Sequence, residues 1–268
     1  MSAVVPGRST GRPLRPGEGT RLLVWRNLLV YRREWKLFLT GFLEPVFYLL
    51  SIGIGVGQLI ESFEFHGRTV PYAEFVAPGM LAASAFNGAL LDSTYNVFFK
   101  LRYEKLYDQI LATPMRTVDV ARGEIVWGQL RGALYAAAFL VVMAMLGLTH
   151  TWWALLALPA TLLMGLAYSA VAMAATTFMT TWQDFDKITL VQLPLFLFSA
   201  TFFPVTAFDD RLRWLVEITP LYRGVVLCRE LTTGVVTIAS LASIVYLVAL
   251  ALVGMAIVRR RLDTLLLS

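Results

Sequence analysis

Few residues in this 268-residue chain could do covalent chemistry. Its two histidines, His66 and His150, lie far apart in sequence, and its one cysteine, Cys228, has no partner for an intrachain disulfide. No His, Cys and carboxylate cluster has metal-ligand spacing, no serine sits in a nucleophile elbow, and no GxxxxGK[ST] loop offers a phosphate cradle. Gly53, Gly55 and Gly57 lie inside an apolar run, where Gly53 and Gly57, four apart, suit close helix packing. What remains are ionisable groups within apolar runs, which are expensive to bury in lipid and are functional candidates by default. Glu44, just ahead of Pro45, can pair with Arg131 or with a basic residue of the preceding segment, or it can face a polar lumen. Asp92 can pair with Lys100, and Arg131 can extend to the headgroups. A proton relay would need several such groups at mid-depth, and this chain has almost none.

The elements that position these groups are apolar runs of about 17–30 residues, each long enough to cross a hydrocarbon core about 30 Å thick. They predict an all-α polytopic membrane protein with six spans, at about 37–60, 74–99, 125–148, 152–182, 188–207 and 236–258. The chain is 57% hydrophobic and 15% charged, and a soluble domain would carry about 25% charge. Residues 1–19 read as a flexible, Pro- and Gly-rich tail ahead of a single membrane domain over 20–268. From 20 to 36, Leu22, Trp25, Leu28 and Leu29 share one helical face while the arginines lie mostly elsewhere, the pattern of a helix in the membrane interface. The segment has no apolar core of signal-peptide length, so the N-terminus is expected to stay inside, uncleaved.

Basic residues are sorted by side. Of 23 Lys and Arg, only Arg68, Arg211, Arg213, Arg223 and Arg229 fall in segments opposite the N-terminus, which leaves 18 on its own side. Basic loops stay in the cytoplasm, so both termini are expected there, in the inner membrane of a bacterium. The same sorting explains the net charge of +5 without nucleic acid, because arginines at this level face anionic lipid headgroups.

Two connections are too long to be turns. Residues 100–124 are polar and contain a helical stretch stopped by Pro114; residues 208–235 are half apolar and suit short helices that dip into the outer interface and return. Aromatic residues are dense in the first and fifth spans (Phe42, Phe47, Tyr48, then Phe196, Phe198, Phe202 and Phe203), as packing surface or as the wall of a path for apolar cargo. With Asn87, the candidate translocation path is Glu44, Phe47, Tyr48, Asn87, Phe196, Phe202 and Phe203.

The polar insert reads Tyr103-Glu104-Lys105-Leu106-Tyr107-Asp108-Gln109-Ile110-Leu111-Ala112-Thr113-Pro114-Met115, and Gly123-Glu124 opens the next span. The external stretch carries Phe202-Phe203-Pro204, Trp214, Pro220-Leu221-Tyr222-Arg223-Gly224-Val225 and Arg229. Taken in order, these motifs resemble ABC-2 type permeases, in the subgroup of nodulation-factor exporters and anthracycline-resistance permeases, over the chain from about residue 20. Two positions depart from the family pattern: Lys105-Leu106 stands where Gly-Thr is usual, and Arg223 where a histidine is common.

The resemblance implies a dimer, expected to be a homodimer, with two separate cytoplasmic ABC ATPase subunits that bind the ATP and Mg; this chain itself holds no cofactor and no metal. It implies export of an amphipathic drug, lipid or lipo-oligosaccharide between the two halves, and it makes the chain no enzyme. Glu104, Tyr107, Asp108, Ile110, Leu111, Thr113 and Pro114 would couple to the ATPase, with Tyr107, Ile110 and Leu111 as buried anchors. Pro204, Trp214, Pro220, Tyr222 and Arg223 would form an external gate, with Arg213, Glu217 and Glu230 near headgroup level. Two other readings stay open: an ATP-independent secondary transporter or channel, and an intramembrane lipid enzyme, which would want paired acidic or histidine groups at one depth.

Overall fold

A computed structural model describes residues 15, 17–33, 43, 46–60, 62–65, 67–149 and 151–267. Ten helices appear among them: α1 Glu18–Arg33, α2 Val46–Gln58, α3 Tyr72–Tyr103, α4 Leu106–Leu111, α5 Thr117–Met145, α6 Trp152–Thr176, α7 Asp184–Leu197, α8 Asp210–Ile218, α9 Pro220–Thr233 and α10 Ile238–Leu267. Four of them, α3, α5, α6 and α10, are long and apolar enough to cross a membrane. They match the second, third, fourth and sixth expected spans. The first expected span lies partly outside the described residues, and α7 is only 14 residues long.

The fifth span is therefore shorter than expected. The helix stops at Leu197, and the chain from Phe198 to Pro204 runs as irregular backbone before one 3-10 turn at Val205–Ala207. The fourth also ends early, at Thr176, whose hydroxyl donates to the Ser93 and Ala172 carbonyls. The all-helical expectation needs one further correction. Ser62–Phe65 and Arg68–Pro71 form an antiparallel hairpin, β1 and β2, in the register Ser62↔Pro71 to Phe65↔Arg68. Gly67 supplies a positive φ of 73° in the tight turn. Phe63 and Phe65 point to one side and meet the Phe75 ring at 5.1 and 6.2 Å, which glues the hairpin onto the start of α3.

Small residues set the packing of the main bundle. In lipid, helices associate through close contact rather than by the hydrophobic effect, and small side chains permit it. Ala160, Ala167, Ala170 and Ala174 of α6 are buried, and Gly254 of α10 lies so close that a Cβ there would fall 2.9 Å from the Ala170 carbonyl carbon. Gly53 and Gly57 face Ala73 and Tyr72, the first turn of α3, in the packing role their spacing implied. On α1, Leu23 and Asn27 turn toward α5, where a Cβ on Gly123 would sit 2.9 Å from the Leu23 Cβ. Leu22, Trp25, Leu28 and Leu29 stay exposed together, the apolar face read from the sequence.

Three π-helical stretches interrupt the regular helices, at Leu49–Ile54, Asp92–Asn96 and Phe99–Tyr103. Such wide turns rotate the side chains that follow and often occur at functional sites. Two of them lie in α3 beside the groups described next.

Candidate functional site

A cavity of about 580 Å³ opens between α2, α3, α5 and α7. Three residues of the expected path line it: Tyr48, Asn87 and Phe196. Asn87 accepts a hydrogen bond from the Gln192 side chain at 3.0 Å, which ties α3 to α7. Phe202 lies outside the cavity lining and meets Phe196 edge-on at 5.6 Å; Phe203 packs instead against Phe208 at 5.2 Å. Phe47 is 60% exposed and is not among the residues that line the cavity, and Glu44 lies outside the described residues.

The cavity is amphipathic. Tyr31, Tyr48, Tyr95 and Tyr135 present rings with hydroxyl tips, while Met80, Leu193 and Phe196 give apolar area. The π turn brings Asp92 and Asn96 together on the cavity side, where the Asn96 amide donates to Asp92 at 2.9 Å and to the Tyr31 hydroxyl at 3.2 Å. Asp92 forms an ion pair with Arg131, whose guanidinium stands 5.2 Å over the Tyr31 ring. The sequence suggested Lys100 for Asp92, and Lys100 pairs with Glu124 instead, at 2.7 Å. Helix geometry decides this: Gly128 and Arg131 of α5 stand beside Asp92, while Lys100, two turns further along α3, reaches Glu124. The two pairs are neighbours, because Asp92 and Glu124 border one small void of about 10 Å³.

The polar insert lies at the same, arginine-rich end. After α3 the chain turns through Lys105, held at φ 47°, ψ 33°, and enters the short helix α4. That left-handed conformation favours glycine, which accounts for the glycine usual here in the family and places strain on this lysine. Tyr107, expected as an anchor buried in the ATPase, is already buried within this chain. Its side chain is fully buried among Leu23, Val97 and Val120, so it fastens α4 to its own domain. Burial pushes its phenol well above the ordinary value, and the Glu124 carboxylate adds to the rise. Ile110 and Leu111 are half-buried against the same cluster, and Pro114, at the end of the turn, is half-buried. The face left open to a partner carries Glu104, Lys105, Asp108, Gln109 and Thr113.

At the opposite end, α8 and α9 meet at Thr219, whose hydroxyl accepts from the Tyr222 amide and whose successor Pro220 starts the helix. The Pro220 carbonyl accepts from the Tyr168 hydroxyl at 2.8 Å. Trp214 is exposed; Tyr222 and Arg223 are half-buried, with the guanidinium 5.8 Å over the neighbouring ring, and Pro204 lies in the irregular stretch. Arg213 pairs with Glu217 at 3.0 Å on the surface. Arg229 and Glu230 are buried inside the protein. Arg229 is buried, donates to the Phe75, Ala200 and Thr201 carbonyls at 3.1, 2.9 and 3.3 Å, and lies 3.7 Å over the Phe75 ring. Glu230 is buried too, and accepts from the Thr237 amide and from the Thr237 and Ser240 hydroxyls at the start of α10. The two residues bolt α9 to α3, α7's irregular tail and α10.

Comparison with known proteins follows this geometry. Residues 18–232 match the family model of the ABC-2 type transporter. The chain belongs to the ABC-2 type transporter family. Its relatives include Nodulation protein J of Rhizobium leguminosarum bv. viciae, 31% identical over 251 residues, which cover 90% of this chain and 94% of the relative. Nodulation protein J of R. leguminosarum bv. trifolii is 31% identical over 90% of this chain and 93% of its own length, and that of Rhizobium meliloti strain 1021 is 30% identical over 80% and 81%. An ABC-2 permease domain is a membrane subunit, and membership implies an ABC ATPase as its partner.

Sequence reasoning missed Tyr31, Tyr95, Asn96, Tyr135 and Gln192 of the cavity. A signal existed in α3, where Ser84, Asn87, Asp92, Tyr95 and Asn96 recur at near-helical spacing inside an apolar run. The π turn shifts that spacing by one residue and hides it from a strict 3.6-residue period.

Proposed function

We propose that this chain is the permease of an ATP-driven exporter in a bacterial inner membrane, with six spans, both termini cytoplasmic and two copies closing the path. Two ATPase subunits would clasp the α4 ends of the pair. The observation that carries this reading is that α4 abuts charged pairs that lead to the cavity. Tyr107 of α4 is buried near Glu124, Glu124 pairs with Lys100, and Asp92, which borders a small void together with Glu124, pairs with Arg131 in the cavity lining. A push on α4 therefore bears on packed ion pairs, one of which lines the cavity, not on a soft loop. The second copy would cover the cavity's open side along α7, whose Leu190, Leu193 and Leu197 are exposed.

The cargo this lining suits is amphipathic. Tyrosine faces and amide groups offer stacking and hydrogen bonds to a hydroxylated head, and Met80, Leu193 and Phe196 offer contact to an apolar tail. A lipo-oligosaccharide, a lipid or an amphipathic drug has that character. The test uses Glu104→Arg with Asp108→Arg, because both side chains are exposed; Ile110→Asp would disturb the domain's own packing as well. The double variant is expected to insert and fold, to lose the co-purifying ATPase and to stop ATP-dependent accumulation of cargo inside inverted vesicles. Accumulation that persists without ATP or partner would instead make the chain a self-sufficient transporter.

A further inference from the structure

A second groove, of about 460 Å³, runs between the first turns of α5 and the late turns of α10, and shares no residue with the cavity. Its floor is apolar, with Val118, Ala121 and Ile125 facing Met255 and Val258. Its rim carries three arginines, Arg116, Arg122 and Arg259. Arg116 is engaged by Asp119 at 3.1 Å, whereas Arg122 and Arg259 are exposed. No carboxylate lines the groove among those residues.

The two helices are candidate spans, and the groove lies where they leave the apolar zone. The arginines thus stand at headgroup level, with Ile125 and Met255 about one turn deeper. We propose that this groove holds an anionic phospholipid from the surrounding bilayer. Arg122 and Arg259 grip the phosphate, since guanidinium forks match its oxygens, and an acyl chain lies along Ile125 and Met255 into the hydrocarbon. Basic pockets between spans on this side take such headgroups. An acidic segment of a protein partner would use the arginines and leave the apolar trough empty, so the trough argues for lipid. The site needs no assumption about cargo or direction of transport.

The test is native mass spectrometry of the full chain loaded with phosphatidylglycerol or phosphatidylcholine. Wild type is expected to retain phosphatidylglycerol selectively. Arg122→Gln with Arg259→Gln should lower that retention about 30-fold and leave phosphatidylcholine unchanged. Ala121→Phe fills the trough with both charges intact and should also displace the lipid; Ala256→Phe, at an exposed position on α10, repeats the test should the first variant fail to fold. Phosphatidylglycerol retained by the double Gln variant, or by both plugged variants, would overturn the proposal. So would displacement by millimolar inorganic phosphate alone, which would mark a simple anion site. Loss of a co-purifying ATPase from the Gln variant with lipid retention unchanged would assign the arginines to a protein partner and overturn it as well.

Discussion

The cavity has two unlike walls. On one side α3 and α5 are locked to each other by Asp92–Arg131 and Lys100–Glu124, and behind them, outside the cavity lining, α6 presses backbone to backbone on α10 at Ala170 and Gly254. On the other side α7 stands off the bundle, with Leu190 75% exposed and Val191 and Leu193 more than half exposed. It is fastened mainly at its ends: by Asp184, its first residue, which accepts from the Thr180 amide in the turn before it, and by the Arg229 clamp on the irregular stretch after it, with the Asn87–Gln192 bond between. The contrast teaches which part can move. A wall of small residues in backbone contact has one arrangement, because interiors at close-packed density do not deform gradually. A helix held at its ends by hydrogen bonds can swing and change the width of the path.

The largest expected effect comes from breaking the rigid wall. Asp92→Ala leaves the Arg131 guanidinium in a buried site without its partner, which should cost about 3–5 kcal/mol. Thermal unfolding in detergent checks this, and Asp92→Ala with Arg131→Leu should recover part of the loss. Next is a matched pair of truncations. Leu247→Ala, at a fully buried position of α10, should cost about 2 kcal/mol, the low end of the range for cores because the reference state also lies in lipid. Leu193→Ala on α7 should cost under about 0.5 kcal/mol in the isolated chain, as for other exposed sites. Equal losses at the two positions would erase the distinction between the walls.

A smaller effect, of opposite sign, is expected at Lys105. Lys105→Gly removes a left-handed non-glycine residue and should stabilise the chain by about 1 kcal/mol, read as a rise in Tm. The smallest concerns pH. Hydrogen bonds from Lys187 and from the Thr181 and Thr180 amides hold the Asp184 carboxyl well below the usual carboxylate range. A depressed value means that this fastening is fully present above the ordinary carboxylate value of about 4 and is lost only as pH falls through the lower, folded value. Protease protection of the α6–α7 connection should therefore be flat from pH 8 to 5 and decline only below about 4. Asp184→Asn should lower it at neutral pH and flatten the acid decline.

The sequence exposed the long elements and hid the tertiary ones. Four apolar runs became α3, α5, α6 and α10, and the break at Thr219-Pro220 separated α8 from α9, because span length and proline chemistry are local properties. Tyr48, Asn87 and Phe196 were also legible, as aromatic and amide groups set in apolar runs. The partners of Asp92 and Lys100 were not, since pairing depends on the relative rotation of two helices and on a π turn that no spacing rule shows. Arg229 looked like a loop arginine for a related reason. Its three acceptors are backbone carbonyls of Phe75, Ala200 and Thr201, more than 25 residues away and silent in side-chain identity. Tyr107 resembled an interface anchor because the same bulk that fills a partner's cleft also fills the chain's own core.

The central claim is that α4 is an inward-facing handle gripped by an ATPase. Asp108→Cys tests it most directly, because the native Cys228 is fully buried and leaves the new thiol as the accessible one. A membrane-impermeant maleimide is expected to label Cys at position 108 in inverted vesicles, to miss it in intact cells and to be blocked when the ATPase is bound. Labelling in intact cells, or labelling of inverted vesicles that the ATPase does not slow, would contradict the account.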